Sequence, residues 1–263
     1  MENAYFRKKI QAAMHENIAP RPARSGEHIA IILSGGIGSR MGTDRPKQYI
    51  EVQGRPIIAY AIDAFARRND IGRIVVVVAN EWKSYVEAAL QHVKQPIAYA
   101  SPGATRQLSV FNGLEVCRTQ GCADNAIVII HDAARPLLGA DIIDRCIAGI
   151  EEGYDGVLPV VRVKDTIYQS EDGKTISRLL NRQQLFAGQA PESFRLKPYY
   201  DLHTRISPNE LLRINGSSEV AILGGLRVKI VEGSERNFKI TTPEDLSHFR
   251  QLLESETGDT AMR

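Results

Sequence analysis

The stretch IAIILSGGIGSRMGTDRPKQY, residues 29–49, decides how the rest of the chain reads. Its first six residues, 29–34, are apolar enough for a strand buried on both faces, and they run straight into a glycine-rich turn. Gly35, Gly36 and Gly38 have no Cβ, so the backbone can bend sharply after Ser34 and bring its N–H groups against an anion. Arg40 and Lys47 add fixed positive charge where phosphate oxygens would sit, and Pro46 stiffens the approach to Lys47. The pattern reads as a phosphate cradle. The alternative is a strand ending in an ordinary glycine turn with two solvated cations.

Two better-known cradles fail on spacing. A P-loop needs Lys followed by Ser or Thr directly after its second glycine, whereas Lys47 is followed by Gln48 and lies far from Gly42. A dinucleotide fingerprint starting at Gly36 requires glycine at 41, where Met41 stands. The pattern GGxGxRMG, followed closely by PKQ, instead resembles the nucleotide-binding loop of the cytidylyltransferases that act on methylerythritol phosphate and ribitol phosphate. The resemblance continues through most of the chain.

At 263 residues the chain can bury a sizeable core as one domain, and 43% hydrophobic with 24% charged residues is ordinary for a globular protein. A net charge of +2 gives no whole-protein attraction to nucleic acid or to membranes, so anion binding must come from local clusters. Cys117, Cys122 and Cys146 are odd in number and lack paired CxxC spacing. That argues against a disulfide framework and a zinc site, and for core thiols in a reducing compartment. No apolar run is long enough to span a bilayer and the start MENAYFRKKI has no signal-peptide core, so the expected location is cytoplasmic. Residues 1–28 read as an N-terminal extension with Phe6, Ile10, Ala13, Met14 and Ile18 at helical spacing, 29–255 as a single domain, and 256–263 as a disordered tail.

Beyond the glycine loop, Pro56 opens a helix with Ile57, Ile58, Ala61, Ile62 and Phe65 on one face, and the β-branched run at 74–79 suits a central parallel strand. A helix at 81–92 and a short strand at 97–100 lead to SPGATRQLS, where Thr105 is a good N-cap for the next helix. The free N–H groups of that helix start, with Arg106 and Ser109 in its first turn, can bind phosphate or a base edge; equally, Thr105 merely caps and Ser109 fills space. The strand at 126–130 ends in HDAARP, a polar cluster where open α/β sheets place ligands. Asp132 there can hold Mg²⁺ or orient a nucleotide, and Arg135 can clamp an acceptor phosphate; the rival is a structural Asp–Arg pair closing the loop.

A helix at 140–152 and a strand at 156–163, in which Pro159 suggests a local irregularity, complete another βα unit. Residues 163–190 then read as two short β segments around a turn at 171–174, a hairpin with no obvious place inside a parallel sheet. Such an arm projects and needs a partner surface, most economically a second copy of the chain. Near the end, Lys239 sits in a short strand at 238–240, before a helix that begins near Pro243.

The family resemblance implies more than these patterns do. It implies a doubly wound, mostly parallel α/β sheet, Rossmann-like, with a projecting β-hairpin arm through which the enzymes form a homodimer. It implies CTP contacts from Ser34, Gly35, Gly36, Gly38, Gly103, Ser109, Asp132 and Ala133, and a lysine, Lys239 in NxKIT, that reaches the nucleotide phosphates. Thr166 and Arg182 correspond to residues that contact the acceptor phosphate. Two segments depart from the family pattern. Ala190 stands where the family's TPQ segment has threonine, and INGSSEVAIL replaces a Thr followed by one or two acidic residues. Ser217, Ser218 and Glu219 can supply equivalent groups there, with Ser217 toward the acceptor or simply as an N-cap.

The expected reaction is CMP transfer: a phosphate oxygen of a polyol phosphate attacks the α-phosphorus of CTP and displaces pyrophosphate. The attacking phosphate is already anionic, so the burden falls on positioning and cations. Arg40, Lys47 and Lys239 are the candidate catalytic cations, Mg²⁺ at Asp132 would bridge the triphosphate, and Arg135, Thr166, Arg182 and Ser217 would hold the acceptor. The GGxGxRMG loop leans toward ribitol phosphate, with methylerythritol phosphate a serious candidate. The competing readings are a sugar-phosphate nucleotidyltransferase using another nucleotide and a non-catalytic nucleotide-binding regulator. A nicotinamide-dependent oxidoreductase is disfavoured by the failed glycine spacing.

Overall fold

The computed structural model describes residues 28–36, 45–214 and 216–261. The proposed N-terminal helix, Gly38, Arg40 and Asn215 therefore lie outside the described residues. Strand β1 (His28–Leu33) is followed by a single 3-10 turn at Lys47–Tyr49 and a small hairpin of β2 (Glu51–Val52) and β3 (Arg55–Pro56). Then come α1 (Ile57–Ala66), β4 (Ile71–Val77), α2 (Asn80–Ala89), β5 (Ile97–Ala100), α3 (Arg106–Thr119), β6 (Ile127–Asp132), α4 (Ala140–Glu151) and β7 (Gly156–Arg162). The arm strands β8 (Tyr168–Gln169) and β9 (Arg178–Leu179) pair with each other as a separate two-stranded sheet. The chain returns through β10 (Phe186–Gly188), β11 (Glu192–Arg195), α5 (Leu196–Arg205), a one-turn α6 (Pro208–Leu211), α7 (Ser217–Leu223), β12 (Val228–Glu232) and α8 (Pro243–Ala261).

The main sheet runs β10-β7-β11-β6-β1-β4-β5, with β12 also paired to β7. Strands β5, β4, β1 and β6 are parallel, and β11 lies antiparallel between β6 and β7. Alternate side chains of β1 feed two cores. Ala30 and Ile32 pack with α1 and α4, while Ile29 and Ile31 pack with α3, α5 and α7. A strand so covered has to be apolar throughout, which is why residues 29–32 read as they do. The sheet is thus wound on both faces, and β1 stands between β4 and β6 where the winding changes direction. Ligands of open α/β sheets sit at that switch, outside the carboxyl ends of the two strands, here Ser34 and Asp132.

Three local expectations change. Pro159 sits in a continuous β7, at the place where the antiparallel neighbour passes from β11, paired to Gly156 and Val157, to β10, paired to residues 160–162. A missing N–H costs little where one partner ends, and the Pro159 carbonyl still accepts the Gln189 N–H at 2.8 Å. Residues 238–240 form no strand; Ile240 donates its N–H to the Ala134 carbonyl at 2.8 Å and the segment is an extended connection laid over the end of β6. Helix α8 continues to Ala261, through residues read as a disordered tail, because Leu246, Phe249 and Leu253 anchor it in a third apolar cluster with Val52, Ile57 and Ile240.

Candidate active site

The glycine loop is fastened from below by the PKQY segment. Gln48 Nε2 donates to the carbonyls of Ser34 and Gly36, at 2.5 and 2.8 Å, and Tyr49 Oη donates to the Ser34 carbonyl at 2.9 Å. Tyr49 is itself buried and stacks on Trp82 with ring centroids 4.7 Å apart. The sequence reading gave these two residues no role, although a Gln flanked by Lys and Tyr directly after the loop was the available signal.

The loop after β5 closes the opposite side. A Cβ on Gly35 would overlap the Pro102 ring, so glycine there lets the two loops meet, and a Cβ on Gly103 would overlap Leu108, so glycine there lets the turn fold back on the start of α3. Thr105 caps α3 by accepting the Leu108 N–H at 3.3 Å. Ser109 Oγ accepts the Gly103 N–H at 3.0 Å and donates to the Thr105 carbonyl at 2.9 Å, which folds the turn back over the helix start.

Between the loops lies a cavity of about 470 Å³ whose lining includes Gly35, Gly36, Lys47, Gly103, Arg106, Ser109, Asp132 and Lys239. Asp132, at the end of β6, faces three cations. Lys239 Nζ lies 3.0 Å from its Oδ2, Arg135 Nε 3.5 Å from the same oxygen, and Arg106 Nε 3.4 Å from Oδ1. Burial by itself would push the Asp132 carboxyl up, but Arg106, Lys239 and Arg135 overcome it and hold the group well below the usual carboxylate range. His131 beside it is fully buried, and burial takes its imidazole down to about 4, so it stays neutral.

Lys239 reaches this point because the 237–240 segment is latched to DAARP. Arg135 Nη1 donates to the Asn237 carbonyl at 2.7 Å, and Asn237 Nδ2 donates to the Ala190 carbonyl at 2.6 Å. Arg135, read as an acceptor clamp, makes the Asp–Arg pair that was the rival reading, with Nε facing Asp132 and Nη1 bonded to a backbone carbonyl. Three residues expected on the nucleotide side also have bonds within the protein, as buried polar groups do. Ser34 Oγ donates to the Val77 carbonyl at 2.7 Å, the Ala133 N–H is bonded to the Leu33 carbonyl at 3.0 Å, and Ser109 braces its turn as well as facing the cavity.

The remaining expected acceptor residues separate. Thr166 and Arg182 line a different recess at the base of the arm, where Arg182 Nη1 donates to the Lys164 carbonyl at 2.8 Å. Ser217 is fully buried behind the main cavity and accepts from Arg106 Nη1 at 2.6 Å. Lys47, Lys239 and Asp132 do converge on one cavity; Arg40 and Gly38 belong to the undescribed part of the loop. A divalent cation fits the donor set in one way only. Among the described residues no group of three or more His, Cys, Asp or Glu side chains could hold a metal, so Asp132 would share the ion with phosphate oxygens of the nucleotide.

A cavity walled by two glycine turns, floored by one carboxylate and edged by lysines matches a polyphosphate bound beside a polar base. The comparisons agree. The profile of the family described as "IspD: 2-C-methyl-D-erythritol 4-phosphate cytidylyltransferase" matches residues 28–255. A ribitol-5-phosphate cytidylyltransferase of Streptococcus agalactiae serotype Ia is 33% identical over 235 residues, 88% of this chain and 98% of that protein. A 2-C-methyl-D-erythritol 4-phosphate cytidylyltransferase of Rubrobacter xylanophilus is 39% identical over 222 residues, 83% of this chain and 91% of that protein. The crystal structure of the 4-diphosphocytidyl-2C-methyl-D-erythritol synthase of Anaerococcus prevotii superposes with a TM-score of 0.73 at 26% identity, covering 87% of this chain and 97% of that one. Likeness of this extent, over sheet, glycine loop and DAARP turn together, means that the chain belongs to the IspD family of cytidylyltransferases.

Proposed function

We propose that this cytidylyltransferase transfers CMP from CTP to ribitol 5-phosphate or 2-C-methyl-D-erythritol 4-phosphate, releasing pyrophosphate. The observation that carries the reading is the convergence of Lys47, Lys239 and Asp132 on one cavity walled by the two glycine turns. An acceptor phosphate oxygen forms the new P–O bond at the α-phosphorus while the bond to the β-phosphate oxygen breaks and pyrophosphate leaves. Neither the nucleophile nor the leaving group needs a proton relay, so the protein's part is to bring two polyanions together. Lys47 and Lys239 stabilise the charge that builds on the α-phosphate and pyrophosphate, joined by Arg40 from the glycine loop. Asp132 holds Lys239 and would, together with the nucleotide's phosphates, hold a Mg²⁺ ion, which when bound would neutralise phosphate charge.

Thr166 and Arg182 hold the acceptor phosphate from the arm recess. Their separation from the main cavity within one protomer, with Tyr168, Ile176 and Leu179 of the same arm 56%, 67% and 62% exposed, supports a homodimer in which the arm serves the neighbouring site. Free thiols at Cys117, Cys122 and Cys146, and the absence among the described residues of any helix able to cross a membrane, support a cytoplasmic enzyme. The test is to incubate the protein with CTP, Mg²⁺ and each polyol phosphate in turn and to measure pyrophosphate. Release with one of the two acceptors, and with CTP in preference to UTP, GTP and ATP, is the expected result. CTP binding without pyrophosphate from any polyol phosphate would make the protein a nucleotide-binding regulator instead.

A further inference from the structure

Glu192 has no part in the scheme above, yet its carboxylate is buried and fully engaged immediately behind the cavity. Its Oε2 accepts from the Ser218 N–H at 2.6 Å and from Ser218 Oγ at 2.7 Å, while Oε1 lies 3.1 Å from Arg106 Nη2. The antiparallel register sets Glu192 opposite Ile130, two residues before Asp132, so both acids stand at the same end of the sheet. Arg106 lies between them: Nε faces Asp132, Nη2 faces Glu192, and Nη1 donates to Ser217 Oγ.

The division of charge gives Glu192 its role. Asp132 is shared by Arg106, Arg135 and Lys239, whereas the ion pair of Glu192 among the described residues is with Arg106. Without Glu192 a largely desolvated guanidinium would turn to Asp132 and compete there with Lys239. The start of α7 carries Ser217, Ser218 and Glu219 where the family resemblance leads one to expect a Thr followed by one or two acidic residues; Ser217 Oγ accepts from Arg106 and Ser218 Oγ donates to Glu192. The carboxylate that faces Arg106 comes from β11, at the third position of APE, where the resembling segment reads TPQ.

We infer that Glu192 is a positioning residue for CMP transfer: it fixes Arg106 in the lining of the nucleotide cavity, limits the competition of Arg106 with Lys239 for Asp132, and ties the start of α7 to that wall. The inference rests on the nucleotide reading of the cavity. The test compares the intact protein with Glu192→Gln, Glu192→Asp and Ser218→Ala, measuring thermal midpoint, CTP affinity by calorimetry, and kcat and KM for pyrophosphate release. In a folded Glu192→Gln protein kcat should fall about 10-fold to 100-fold, as for a small misplacement of reacting groups, with acceptor KM within about threefold of the parent. CTP affinity should weaken by about fivefold and Glu192→Asp should recover part of the loss in kcat.

A folded Glu192→Gln protein with kcat and CTP affinity within about twofold of the parent overturns the inference. If Glu192→Gln does not fold, Ser218→Ala decides: a kcat lowered about twofold to fivefold supports the role, and an unchanged one removes it. If the parent releases no pyrophosphate with either polyol phosphate, the proposed reaction fails separately, and the CTP affinities of parent and variant still decide the role of Glu192.

Discussion

Lys239 Nζ lies 3.0 Å from Asp132 Oδ2, joining two residues 107 apart in sequence in the lining of the nucleotide cavity. The pair exists because Arg135 and Asn237 latch the C-terminal connection to the end of β6. Replacing Asp132 with Asn leaves Arg106, Arg135 and Lys239 without their shared counter-charge. The expected cost is about 3 kcal/mol of stability, the low end for breaking a buried ion pair, read by denaturant titration. A loss below about 0.5 kcal/mol would mean that the three cations do not depend on it.

Lys47 lines the cavity at the start of the 3-10 turn whose next residue, Gln48, fastens the glycine loop. Lys47→Ala should fold normally and lose about 10²-fold to 10³-fold in kcat, by analogy with removing one oxyanion donor. Steady-state pyrophosphate release checks this, and normal turnover by the folded variant would remove Lys47 from the cradle.

Gly103→Ala places a Cβ against the Cβ and backbone of Leu108, and backbone cannot yield as a flexible side-chain end does. The turn must open, at a cost of about 1–3 kcal/mol. CTP titration should show weakened binding together with a lowered thermal midpoint.

Arg182 belongs to the arm recess and Arg106 to the nucleotide cavity, with no lining residue shared. Arg182→Ala should therefore raise the acceptor KM about 10-fold while CTP affinity stays within about twofold. A large loss of CTP affinity in this variant would contradict the assignment of the recess to the acceptor.

His131 and His203 are both buried, and burial takes each imidazole down to about 4, below the ordinary value of about 6.5. The unfolded chain therefore takes up protons first as pH falls, so stability is full above about 6.5 and is lost progressively toward 4. Each group accounts for a few kcal/mol at most over that window, at about 1.4 kcal/mol per pKa unit. The thermal midpoint should fall between pH 7 and 4.5, and His203→Gln should shrink the pH-dependent part of that fall by roughly half. An unchanged pH slope in His203→Gln would mean that His203 is not the titrating group.

The apolar run at 29–32, the glycine turn after it, the capped helix at Thr105 and the polar end of β6 were all legible in the sequence. Each is a local matter of periodicity, missing Cβ atoms or a cap, and such signals act over a few residues. They also located the arm, whose short alternating segments suit no place in a parallel sheet. What the sequence left open was the direction of the polar side chains. Ser34 and Arg135 read as ligand groups and each also has a protein partner that no local pattern announced, because a buried hydroxyl or guanidinium bonds whichever carbonyl or carboxylate the packed sheet brings near. Glu192 and Ser218 lie in the two segments that depart from the family pattern, but nothing local showed that they meet, since that depends on how α7 packs against β11. The sequence by itself determined the strands, the bends and a supply of charge at the strand ends. Tertiary structure alone decided which charges oppose one another, because ion pairs and hydrogen bonds form through space between segments that only the folded core holds together.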